Sequence, residues 1–125
     1  MVTGGKLMEE RESQLLRIYC VASDHADHAR LHEAIVDAAR RTGLAGASVH
    51  KAKMGFSQGG HNYSDLLSTI EIEQQPIVVE IIDSPEHIKN FVPALHELVR
   101  GRRLITLEPV EVLHYQADPK AENHG

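Results

Sequence analysis

The chain has 125 residues, 42% of them hydrophobic and 25% charged, which suits one globular domain and excludes wholesale disorder. Thirteen Lys and Arg stand against 18 Asp and Glu, a formal charge of −5 with an isoelectric point near 6.0, so the cationic surplus of a dedicated duplex-binding protein is missing. No run of about 18 apolar residues exists to span a membrane, and a single cysteine, Cys20, excludes an internal disulfide framework or a CxxC zinc site.

Residues 1–14 read as a flexible leader without the apolar core of a secretory signal, which makes the cytoplasm the default compartment. Leu15 to Ala22 is a β-type run in which Leu16, Ile18 and Cys20 share one face, with Cys20 a small core hydrophobe. Asp24 or Asp27 is placed to cap a following helix. Its apolar positions Leu31, Ile35, Ala38 and Thr42 recur at helical spacing, and Gly43 is placed to stop it. A second strand starts near Gly46 and runs through His50 to Met54. Pro76 opens a third strand, apolar on both faces from Ile77 to Asp83 except at Glu80, the pattern of a central strand.

Ser84 and Pro85 read as N-cap and first helical residue. Ile88, Phe91, Val92, Leu95, Leu98 and Val99 then form an apolar stripe, with a kink expected at Pro93 and a stop at Gly101. Leu104 to Leu107 and Val110 to Tyr115, split by Glu108 and Pro109, predict a last strand or a bent pair. Residues 116–125 read as a flexible tail, so the folded domain is expected over 15–115. The order β-α-β-β-α-β predicts an α+β, ferredoxin-like sandwich: an antiparallel sheet with two helices on one face. Its uncovered face predicts self-association.

The second and third strands are joined by residues 53–75, far more than a tight hairpin needs. Gly55, Gly59 and Gly60 let backbone approach a ligand and can aim successive N–H groups at an anion, although no GK[ST] signature follows. Arg100, Arg102 and Arg103 surround the second helix stop. Their forks suit phosphate or carboxylate, and cations there also satisfy the helix dipole. The second and fourth strands of such a sheet are its two edges, so Lys53 and the arginines meet most easily across a subunit boundary.

Nine histidines are many for this length. His28 and His32 are four apart and on one helical face, a spacing that can hold Zn, Ni or Cu, yet no HExxH pattern or spaced carboxylate completes a site. The competing reading is a solvated helix start. His50 and His61 read as neighbours of a ligand near the subunit cleft; His87, His96, His114 and His124 read as surface. No GxSxG, Cys/His pair or close carboxylate dyad appears, so an enzyme is not expected. Tyr19 is the one aromatic on the inner strands, which argues against RNA stacking and leaves nucleic acid out of the partners.

Leu16-Arg17-Ile18-Tyr19, the stretch from Leu31 to Ala52, Met54-Gly55-Phe56, Ser64-Asp65-Leu66-Leu67-Ser68, Pro76 to Asp83 and Leu104 to Val112 closely resemble the domain-of-unknown-function 190 family. Members of that family look like relatives of PII signal-transduction proteins, which are trimers of ferredoxin-like subunits with a long T-loop after the second strand. The resemblance implies a homotrimer, with Lys53 to Ser68 as the T-loop and Arg100 to Arg103 as the phosphate-side loop. It also implies an anionic effector, an adenine nucleotide, bound between subunits at the T-loop base and the phosphate-side loop; with the two histidines named above, the candidate ligand-binding residues are Lys53, Gly55, Phe56, His50, His61, Arg100, Arg102 and Arg103. The T-loop would report occupancy to a partner transporter or enzyme. Two departures stand out: Arg100-Gly101-Arg102-Arg103 replaces a lysine-and-glycine phosphate loop, and Gly55-Phe56-Ser57 replaces Gly-Phe-Gly. Tyr63 stands where a modifiable T-loop tyrosine would, and reads as packed or solvent-exposed. A His-based metal-binding protein on the same scaffold and a small ferredoxin-like enzyme are the alternative readings.

Overall fold

The computed structural model describes residues 11–56, 63–64 and 72–114. Strand β1 (Arg11–Val21) begins four residues before the start expected at Leu15 and is the longest strand. A short hairpin follows, β2 (His25–Ala26) and β3 (Ala29–Arg30), then helix α1 (Leu31–Thr42). Next come β4 (Ser48–Lys51), the pair β5 (Met54–Gly55) and β6 (Tyr63–Ser64), and a 3-10 turn (Ile72–Gln74). Strand β7 (Pro76–Asp83), helix α2 (Pro85–Val99) and strand β8 (Leu104–Val112) complete the order.

The main sheet runs β4-β7-β1-β8 with every neighbour antiparallel. That is the ferredoxin-like α+β arrangement, with the strands of the two βαβ halves interleaved. Alternation sorts the side chains. Leu16, Ile18 and Cys20 of β1 and Ile77, Val79 and Ile81 of β7 are buried beneath Ile35, Ala38 and Ala39 of α1 and Ile88, Phe91, Leu95 and Val99 of α2.

The first helix starts later than an Asp24 or Asp27 cap implies. Asp27 adopts a φ of 56° in the hairpin turn, and Arg30 is the residue before the helix, with no side-chain cap. Gly43 stops α1 as expected, at a φ of 91° that a side chain resists. In α2 the Ser84 hydroxyl accepts the His87 N–H at 3.2 Å. The helix continues through Pro93, which is exposed and withholds one backbone donor from it. Arg100, at φ 57°, is the first left-handed residue after α2, one position before Gly101. The last strand is single: Pro109 lies within β8, an edge strand, where a missing N–H is tolerated.

Cys20 is 2% exposed, and burial pushes its thiol up to about 12, with the nearby Asp24 carboxylate adding to the rise. Native protein at about pH 8 is therefore expected to leave Cys20 unalkylated by iodoacetamide, whereas denatured chain is modified. Mass spectrometry of the two samples checks this, and rapid native labelling would contradict the packing.

Candidate functional site at the arginine-loop end of the sheet

Helix α2 ends at Val99 and the chain turns back into β8 through Arg100-Gly101-Arg102-Arg103. Arg100 Nε donates to the Glu97 carbonyl at 3.1 Å and Arg102 Nε to the Val99 carbonyl at 3.4 Å, so both also satisfy the helix terminus. Both residues are exposed, and among the described residues neither is ion-paired with a carboxylate. Together with His25, Ala26, Asp27, Glu97 and Leu98 they line a small depression of about 50 Å³, so two carboxylates share it with the arginines. Sequence reasoning missed His25 there. Its Nδ1 donates to the Ser23 carbonyl at 2.6 Å, which leaves Nε2 for another partner.

Arg103 behaves differently. Its Nε and Nη2 fork onto Asp24 at 2.7 and 2.8 Å, with the two side chains only 13% and 19% exposed. This guanidinium anchors the loop, and an anion would have to displace a carboxylate to reach it.

At the other edge, β4 ends at Lys51 and leads through exposed Lys53 to Met54, Gly55 and Phe56. Met54 and Phe56 are 64% and 74% exposed. Gly55, at a φ of 150°, packs where an added Cβ would stand 3.5 Å from Pro76. Tyr63 pairs with Gly55 and is buried, so the packed reading of that tyrosine holds. His61, Gly59 and Gly60 lie outside the described residues. The end of β4 and the start of β8 fall at the same end of the sheet, since Lys51 pairs with Ile77, Cys20 with Ile77, and Tyr19 with Leu104. Two strands separate them, about 14 Å at normal strand spacing. One chain thus brings Arg100 and Arg102 together and keeps Lys53, Gly55 and Phe56 at the opposite edge.

His50 projects from β4 on the sheet face away from the helices. Its Nε2 lies 3.0 Å from Ser48 Oγ and 3.3 Å from Glu80 Oε1. Glu80 accepts from Arg17 Nε at 2.9 Å, and Arg17 Nη1 reaches Glu108 at 2.7 Å, so a polar rib crosses all four strands. The paired His28 and His32 of one helical face are corrected: His28 belongs to the β2–β3 turn, and only His32 is on α1. Burial lowers the His32 pKa, which favours the neutral ring. Among the described residues no group of three or more His, Cys, Asp or Glu is placed to hold a metal ion.

A cleft of about 920 Å³ lies at the far end of the sheet among Ser13, Ala47, Glu80, Asp83, His87 and Val112. None of the expected ligand residues among those described lines it. Its carboxylates, which include Glu12 and Glu86, oppose an anion. Burial raises the Asp83 pKa, but hydrogen bonds from the Ala45 and Ser84 amides and from His87 outweigh it and hold the carboxyl below its ordinary range. The stability Asp83 contributes is present above about pH 4 and is lost as pH falls through its folded value.

An antiparallel β4-β7-β1-β8 sheet under two helices is shared with proteins of the PII-like class. A PII-like signaling protein of Thermus thermophilus superposes with a TM-score of 0.58 at 20% identity, covering 82% of this chain and 90% of that one. The nitrogen regulatory PII-like protein CPII of Thiomonas intermedia, solved with ADP, AMP and bicarbonate, gives 0.61 at 14% identity, covering 83% and 91%. The fold is PII-like. Residues 13–112 match the family described as "Uncharacterized ACR, COG1993" (DUF190), and the chain belongs to it. It is 33% identical over 109 residues to a UPF0166 protein of Aquifex aeolicus, covering 82% of this chain and 95% of that one. A UPF0166 protein of Methanocaldococcus jannaschii is 24% identical over 102 residues, covering 81% and 92%. No helix among the described residues is long and apolar enough to cross a membrane.

Proposed function

We propose that this chain is a PII-like regulatory protein that binds an adenine nucleotide and is not itself an enzyme. The carrying observation is the exposed pair Arg100 and Arg102, beside His25, at the sheet end that also bears Lys53, Gly55 and Phe56. Two guanidinium forks suit a phosphate chain, and exposed Phe56 offers a ring for a base to stack on. The CPII structure with ADP and AMP supports the same ligand class for this fold. About 14 Å within one chain is too far for one phosphate group to bridge, so the site is completed by a second subunit, with a homotrimer as the assembly. His50 and His61 belong to this reading as neighbours of the cleft. Arg103 holds the loop, and the connection over residues 53–75 signals occupancy to a transporter or enzyme.

Thermal denaturation with ATP, ADP, AMP and divalent metal salts tests the proposal. At a nucleotide concentration roughly a hundredfold above the dissociation constant, stability is expected to rise by about 2.7 kcal/mol. Arg100→Gln with Arg102→Gln is expected to abolish that rise while leaving the nucleotide-free transition in place. Light scattering is expected to report three chains per particle. No shift with any nucleotide, or a monomer in solution, would overturn the reading.

A further inference from the structure

The segment from Val21 to Leu31 does more than join β1 to α1. Asp24 sits at a crossing of three elements. Its Oδ2 accepts the Val21 N–H at 2.9 Å, its backbone carbonyl accepts the N–H of Leu31, the first residue of α1, at 2.7 Å, and its carboxylate takes the Arg103 fork. The same segment grips the returning stem of the long connection. Arg30 forks onto Glu73 at 2.8 and 3.2 Å and also donates to the Ala22 carbonyl at 2.7 Å. The Ala22 and Ser23 N–H groups donate to the Gln75 and Glu73 carbonyls at 2.9 and 3.0 Å. From Gln75 the chain of bonds crosses to the outgoing stem: its Nε2 donates to the Ala52 carbonyl at 3.2 Å, and the Ala52 N–H donates to the Pro76 carbonyl at 2.9 Å. Meanwhile His25, Ala26 and Asp27 at the hairpin tip form one wall of the depression that holds Arg100 and Arg102.

We propose that the β2–β3 hairpin is the link, inside each chain, between the arginine loop and both stems of the long connection, with Asp24, Arg30, Glu73 and Arg103 as its positioning residues. Each hairpin strand has two residues, and of His25–Arg30 only Ala26 packs against the core. So short a ribbon has little burial to hold it, and its pose follows the ion pairs at its two ends. An anion on Arg100 and Arg102 adds negative charge beside His25 and shifts the balance at Asp24. The displacement passes to Ser23 and Ala22, whose amides hold the returning stem. The Arg30 fork holds the Glu73 carboxyl below the ordinary carboxylate range, as expected of a formed ion pair. By linkage, weakening that pair must change ligand affinity in turn. The identity of that ligand rests on the proposed function; the mechanical link does not.

Two arms separate the questions. In nucleotide-free protein, Arg103→Lys keeps the charge and loses the fork. Hydrogen exchange at the Ala22, Ser23 and Ala52 amides is then expected to accelerate about tenfold or more, with the buried Val79 amide unchanged. Unchanged rates at the three amides, or an equal rise at Val79, would overturn the link. In the second arm, Glu73→Gln is expected to shift the ADP dissociation constant about threefold or more, whereas Glu111→Gln leaves it unmoved. An ADP affinity indifferent to Glu73→Gln would also overturn the link. If the wild-type chain binds no ADP, the proposed function falls, and the exchange arm alone decides the link.

Discussion

Phe91→Ala is expected to remove about 3–5 kcal/mol of stability, read as a lower urea midpoint at unchanged slope. Phe91 is fully buried, in the middle of the α2 stripe and against the sheet, with Ile88, Leu95 and Val99 alongside. Its removal forfeits both the transfer of a large ring out of water and the contacts around the cavity left behind. A domain of this size is stable by only about 5–15 kcal/mol, so the loss is a large share of the total. The second phenylalanine is an internal control. Phe56 is 74% exposed, and Phe56→Ala is expected to fall within about 0.5 kcal/mol of wild type. Equal losses for the two would refute the placement of α2 on the sheet.

Arg103→Ala is the second large effect, expected at about 3 kcal/mol in equilibrium unfolding. The size comes from what remains. Asp24 is 19% exposed and would keep a largely desolvated carboxylate with its strongest partner gone. Truncating both members removes the stranded charge, so the Asp24→Ala, Arg103→Ala double variant is expected to be more stable than Arg103→Ala alone. A double-mutant cycle measures that difference, and strictly additive losses would mean that the pair is not coupled. The exposed i,i+4 pair of Asp37 and Arg41 is 62% and 72% exposed and offers a contrast, with an expected coupling below about 0.5 kcal/mol.

The same Asp24 shows why some of the fold is legible in the sequence and some is not. Strand alternation at Leu16, Ile18 and Cys20 and the α2 stripe from Ile88 to Val99 are short-range patterns, and both elements form where the pattern places them. An aspartate before a helical stripe, however, satisfies several rules at once. Asp24 and Asp27 both suit an N-cap, yet one anchors an arginine and the other turns a hairpin. The partner that decides Asp24 is 79 residues away, and no local spacing encodes that distance. The arginine loop is visible as a charged helix stop, but the division of labour within it is not. Arg103 is the last residue before β8 and faces inward, while Arg100 and Arg102 remain outside. His25 and His28 escape local reasoning for a related reason: both precede a helix whose first residue is Leu31, and the hairpin that holds them has no periodic signature.

Strand β8 also limits what the sheet can become. Pro109 brings no N–H donor to this edge strand, and exposed Glu111 stands two residues on, while Glu108 is already paired with Arg17. A foreign backbone that docked there would meet a strand short of one donor, with a carboxylate beside it. This margin therefore resists templated growth toward fibrils.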